Sequence, residues 1–227
     1  MSSKTVSFRR PDGQNVSGFL AEPEGGGAAP AIVVIQEWWG LVPHIKDVAD
    51  RFAAEGFVAL APDLYHGHTA KSPDEAGKMM MALNIAGAER DLRGAVQYVR
   101  GHPETSSAKV GTVGFCMGGV LSLFAATKNP AVGACVVFYG IHPNVKPDLA
   151  ALQAPVLGLY AERDASTPPA RVKALEQELT RLGKRAEFHI YPGVDHAFFN
   201  DTRPEVYNKE AAHDAWTRTI AFLRANL

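Results

Sequence analysis

Residues 114–118 read Gly-Phe-Cys-Met-Gly, a GxCxG pentapeptide that follows the run KVGTVGF and opens the apolar stretch MGGVLSLFAATKN. This order predicts a sharp strand-to-helix turn with Cys116 at its apex. Glycines two residues to either side suit such a turn, because its crowded backbone leaves no room for a Cβ. A thiol held there stands clear of the fold. The helix start beside it offers free N–H groups and partial positive charge, which favour a thiolate and a developing oxyanion. The chemistry expected is nucleophilic attack on a carbonyl. A buried structural cysteine beside a glycine-rich turn is the competing reading, since pentapeptide matches are common.

A nucleophile on such an elbow needs an orienting acid and a base after later strands, in the chain order nucleophile, acid, base. Asp164 follows the run PVLGLYA within AERD, and His196 follows AEFHIYP within GVDHAF. Taken singly, an acid after a strand is usually a helix cap, and a lone histidine is usually surface or core. Three matches in the required order point instead to a Cys116, Asp164 and His196 triad. Asp195 is the rival acid, but a direct chain neighbour of His196 cannot easily reach round to the far ring nitrogen. The segment Gln36-Glu37-Trp38-Trp39-Gly40, directly after AIVVI, belongs to the same sheet edge. An ordinary turn with two packing tryptophans is the plain alternative. On an elbow of this kind the oxyanion hole takes one N–H from the residue after the nucleophile and one from this early loop, here Met117 and Trp38. Met79 to Met81, Trp38, Trp39, Phe198 and Phe199 offer side chains for an apolar, adaptable pocket, with Trp39, Phe198 and Met80 as its candidate walls. The same stripe also fits plain core.

The elements that must position these groups alternate along the chain. Thr5 to Arg9 and Asn15 to Ala21 flank a Pro-Asp-Gly turn and predict an antiparallel hairpin at the sheet edge. Strand runs follow at 31–36, 57–62, 110–115, 131–139, 155–161 and 186–191, most of them continuously apolar, as strands buried on both faces are. Amphipathic stretches lie between and after them: His44 to Glu55, Asp74 to Arg100, Met117 to Lys128, Pro169 to Leu182 and Pro204 to Leu227. This rhythm predicts one α/β domain over residues 1–227, a doubly wound, mostly parallel sheet with helices on both faces. Ligands of such a sheet bind at the carboxyl ends of its strands.

Composition narrows the partners. The 227 residues are 46% hydrophobic and 21% charged, with 23 Lys plus Arg against 24 Asp plus Glu, so nothing marks a nucleic-acid or anionic-membrane surface. A small-molecule substrate is expected, with the chain a monomer or a weak homo-oligomer. Cys116 and Cys135 are too few for a disulfide scaffold, and Cys135 sits in the core-like run GACVVFYG, which suits a reducing compartment. The segment MSSKTVSFRR lacks a secretory pattern and no apolar run nears about 18 residues, so the expectation is cytoplasmic. No cofactor or metal is expected. His66 and His68 lack further ligands at metal spacing, and the glycines at 25–27 precede a strand and do not follow one, which a phosphate cradle would require.

The motifs QEWWG, FVALAPDLY, GFCMGG, ERD and GVDHAF, in that order over nearly the whole chain, resemble the dienelactone hydrolase family of α/β-hydrolases. The resemblance implies Cys116 as nucleophile, His196 as base, Asp164 as its orienting acid, and Glu37 as a carboxylate that pairs with the resting thiol and gates it. It also implies hydrolysis of a lactone or small ester through an acyl-cysteine. One departure bears on substrate. In family members that open dienelactones, arginines from a lid segment and from just beyond the histidine bind the substrate carboxylate. Here Ala197, Phe198, Phe199 and Asn200 follow His196, and the lid stretch GKMMMALNIAG supplies Lys78 but no arginine before Arg90. Arg203 is the remaining candidate, and a neutral or weakly acidic ester or lactone is the expected substrate. A broad carboxylesterase on neutral esters is the alternative. A thiol-based redox sensor or ligand-binding protein is the alternative of another class, and it lacks an evident resolving thiol.

Overall fold

The Pro-Asp-Gly turn does close a hairpin. In the computed structural model, which describes residues 2–227, β1 (Ser2–Arg9) and β2 (Asn15–Glu22) pair antiparallel with Thr5 opposite Phe19. The remaining strands are β3 (Ala29–Ile35), β4 (Val58–Pro62), β5 (Thr105–Phe115), β6 (Val132–Phe138), β7 (Val156–Ala161) and β8 (Ala186–Tyr191). Together they form one eight-stranded sheet in the order β1-β2-β4-β3-β5-β6-β7-β8. β2 joins β4 antiparallel, and every pairing from β4 to β8 is parallel. The continuous apolar runs are explained by cover on both faces.

That cover comes from six α-helices: α1 (Pro43–Ala54), α2 (Pro73–Ala82), α3 (Ile85–Arg100), α4 (Met117–Lys128), α5 (Pro169–Arg181) and α6 (Lys209–Asn226). Leu92 and Val96 of α3, Leu121 of α4 and Leu179 of α5 pack with Val33, Leu60 and Val137 on one face. Ile45, Val48 and Phe52 of α1 and Ala215 and Leu223 of α6 pack with Ile32, Val34 and Val136 on the other. The doubly wound architecture expected from the alternation is therefore present.

Two helices differ from the sequence expectation. The stretch Asp74 to Arg100 is two helices, because Asn84 leaves the helical conformation (φ −73°, ψ 99°) and caps α3 by accepting the Gly87 N–H at 3.0 Å. Its amphipathic pattern continues across the break, so periodicity alone could not reveal it. The stretch Pro204 to Leu227 becomes helical only at Lys209, where the Asn208 side chain accepts the Ala211 N–H at 3.0 Å. Among the described residues no helix is long and apolar enough to cross a membrane.

Candidate active site

Strand β5 delivers Cys116 to the carboxyl edge of the sheet and α4 begins at the next residue. The elbow is as tight as its glycines imply. A Cβ on Gly114 would lie 1.8 Å from the Gly118 carbonyl oxygen, and one on Gly118 would lie 2.3 Å from that of Ile35. Cys116 itself takes φ 53°, ψ −117°, outside helix and strand regions. Such backbone strain costs on the order of 1–3 kcal/mol and persists only where the surroundings over-determine it. Here the Cys116 N–H donates to Phe138 O at 3.0 Å, and its carbonyl accepts from Gly119 and Ile141 N–H, both at 3.0 Å. Tyr139 (φ 39°), just after β6, and Ala197 (φ 63°), beside His196 in the loop after β8, are also strained, so three of the four non-glycine residues of positive φ among the described residues belong to the candidate site.

His196 and Asp164 arrive there from the loops after β8 and β7. His196 Nδ1 contacts Asp164 Oδ2 at 2.5 Å. Asp195, the rival acid, is exposed at the surface. Asp164 is 2% exposed, and its carboxylate also accepts from Ser166 N–H at 2.8 Å and Thr167 N–H at 3.2 Å on Oδ1, and from Thr167 Oγ1–H at 2.5 Å on Oδ2. Burial alone would push its pKa up, but the bonds from His196, Thr167 and Ser166 prevail and hold it at about 2. For His196, burial pulls the pKa down, while hydrogen bonds and charge from Asp164 and Cys116 outweigh it and raise the imidazole to about 10. Cys116 is thus among the groups that act on the charge of the ring that Asp164 holds.

Glu37 lies at the start of the loop after β3 and is 2% exposed. Its Oε2 accepts from Asn200 Nδ2 at 2.9 Å, a different hydrogen-bond partner from the thiol that the family resemblance implies. Desolvation raises its pKa against the opposing charges of His196 and Arg203 and the Asn200 bond. Sequence reading had no signal for the Asn200 contact, which spans 163 positions. Tyr139 was also missed as a site residue. It is fully buried, its ring lies 4.9 Å from that of His196, and its hydroxyl has no hydrogen-bond partner among the described residues.

The candidate pocket walls divide. Trp38 and Trp39 are half-buried and meet edge to face at 5.4 Å, with Trp38 reaching towards Gly77 of α2. Met80 is half-buried, and its carbonyl is held by His142 Nε2 at 2.9 Å, which fastens α2 to the loop after β6. Phe198 is a correction. It is 0% exposed and packs against Tyr139, Tyr191 and Phe138 with ring centroids 5.4, 5.0 and 6.5 Å apart, a core position and no cleft wall. Of the candidate cations, Lys78 pairs with Asp74 at 2.7 Å on the surface and Arg90 with Asp12 at 3.1 Å. Arg203 bonds Glu205 at 2.8 Å, and its charge acts on both Glu37 and Tyr139. His66 rests 3.1 Å from Asp91, and no cluster of three or more potential metal ligands occurs among the described residues. Cys135 accompanies Ser122 Oγ at 3.4 Å, and burial pushes its thiol up to about 12.

An elbow at the carboxyl edge of this sheet, with an acid and a histidine following it on later strand ends, defines an α/β-hydrolase. The sequence model of the Dienelactone hydrolase family matches residues 16–227. Protein usf of Aquifex pyrophilus is 38% identical over 98% of both chains. An Aquifex aeolicus protein provisionally named a carboxymethylenebutenolidase is 34% identical, again over 98% of both. A crystal structure from Klebsiella pneumoniae, described provisionally as a dienelactone hydrolase, superposes with a TM-score of 0.87 at 30% identity, covering 99% of each chain. The chain belongs to the dienelactone hydrolase family and is a hydrolase of the lactone and carboxylic ester class.

Proposed function

We propose that the protein hydrolyses neutral or weakly acidic lactones and small esters through an acyl-cysteine on Cys116. The observation that carries this reading is the contact between Asp164 and His196, brought from the loops after β7 and β8 to the sheet edge where Cys116 sits on a strained elbow. His196 takes the thiol proton and the sulfur attacks the carbonyl carbon, expelling charge onto the carbonyl oxygen. The Trp38 and Met117 N–H groups receive that oxygen; losing one such donor costs about 2.7–4 kcal/mol. The imidazolium returns its proton to the leaving alkoxide or enolate. His196 then deprotonates water, which attacks the thioester and frees the acid and the thiol, while Asp164 holds the ring throughout.

Glu37 acts as a gate in this scheme. In the closed state of the gate its carboxylate swings against the thiol and opposes a developing negative charge there, and its tie to Asn200 offers a place to withdraw when substrate enters. The substrate preference follows from the cations: two of the three candidates are tied down at the surface and Arg203 is engaged by Glu205. Rates on an uncharged aryl acetate and on a carboxylate-bearing lactone test this. Comparable kcat/KM values, or a preference for the uncharged ester, are expected. A large preference for the carboxylate-bearing lactone would mean that Arg203 swings free to bind it, and would refute the proposed selectivity.

A further inference from the structure

A second cavity, of about 170 Å³, lies between α4, α5 and the loop after β6, and none of Cys116, His196 or Glu37 lines it. Leu123, Val172 and Leu175 make apolar walls. Its polar side chains are few: Tyr160, Thr167 and Arg171. Tyr160 lines it at 2% exposure, its ring packed on Phe188 with centroids 5.5 Å apart. Arg171, also in the lining, donates only to Ser166 O at 3.4 Å and pairs with no carboxylate among the described residues. Arg171 and Tyr160 both line this one space. No acidic side chain lines the cavity.

We propose that this cavity is a binding site for a short-chain aliphatic carboxylate. The alkyl group fills the space bounded by Leu123, Val172 and Leu175, and the carboxylate accepts from the Arg171 guanidinium and the Tyr160 hydroxyl. The size is adequate, since an apolar cavity of about 150 Å³ takes a benzene-sized guest. An alcohol or amide of the same shape would fill the walls equally but leave the guanidinium without a counter-charge. Thr167 completes the wall and also donates to Asp164 Oδ2 at 2.5 Å, so occupancy is reported on the loop that carries the triad acid.

The test is a titration of the full chain with 3-methylbutanoate, followed by amide chemical shifts, with Cys116 alkylated beforehand so that the catalytic cleft is closed. Saturable shifts at Thr167, Arg171, Val172 and Leu175 are expected. Arg171→Gln should weaken the affinity about tenfold or more, and Tyr160→Phe by about three- to tenfold, the sizes of a charge-assisted and a neutral hydrogen bond. 3-Methylbutanamide should bind as weakly as the acid binds to Arg171→Gln. The proposal fails if these amides show no saturable shift, if the amide analogue matches the acid, or if Arg171→Gln binds as the unaltered chain does. Arg171 is exposed and Tyr160→Phe removes one oxygen, so both variants retain the fold. None of these outcomes depends on whether Cys116 is the nucleophile.

Discussion

Replacing Asp164 with asparagine should disable the site through the tautomer of His196, with little change in shape. Oδ1 accepts two backbone N–H groups, from Ser166 and Thr167, so the amide oxygen of asparagine must occupy that position. Its NH₂ group then stands where Oδ2 was, facing His196 Nδ1 and Thr167 Oγ1. Donating to Nδ1, it places the ring proton on Nε2 and leaves His196 no lone pair for the Cys116 proton. Loss of kcat/KM on the order of 10,000-fold is expected, the size of the same exchange in a serine triad. The cost to folding is smaller. Asp164 moves from 3.8 to about 2 in the fold, which favours its charged form by on the order of 2 kcal/mol, shared with His196. Unfolding temperature should fall by about 4–8 °C for a chain of this length. Steady-state kinetics on an aryl acetate, with ring ¹⁵N shifts of His196, reads both effects. A folded variant within tenfold of the parent, with the proton still on Nδ1, would refute the reasoning.

Other outcomes follow from the same geometry. Gly118→Ala forces a Cβ to within 2.3 Å of Ile35 O and 2.5 Å of Gln36 O, so activity and unfolding temperature should both drop; an unchanged melting curve would mean that the elbow relaxes freely. The His196 interaction stabilises the fold fully below its unfolded value of 6.5 and is lost as pH rises through about 10. The stability difference between the parent and His196→Gln, measured by denaturant unfolding, should therefore shrink across that window, and a constant difference would contradict the raised pKa. Asp164 works in the opposite sense, its contribution complete above 3.8 and lost as pH falls through about 2. Glu37→Gln should speed alkylation of Cys116 near neutral pH by removing the opposing charge, and an unchanged alkylation rate would dismiss the gate.

The sheet was legible because β3, β6 and β7 are nearly continuous apolar runs and because Gly114 and Gly118 mark the only turn that could follow β5. The candidate nucleophile, acid and base were legible as residues shortly after the runs that form β5, β7 and β8. The α2–α3 break was not, since Leu83 and Asn84 keep the amphipathic rhythm while the Asn84 side chain ends it. Phe198 shows a similar limit: an aromatic two residues beyond His196 reads the same in a cleft and in a core, and only its 0% exposure separates the two. Contacts such as Asn200 to Glu37 and Thr167 to Asp164 are made by polar side chains whose partners depend on loop paths, and residue type alone does not encode them.

The most direct test of the account is rapid acid quench during turnover of an aryl acetate, followed by peptide mass analysis. An acetyl group on the peptide carrying Cys116, appearing before steady state and absent in Cys116→Ala, is the expected result. Unimpaired hydrolysis by Cys116→Ala, or an acetyl group on another side chain that turns over at the catalytic rate, would contradict it.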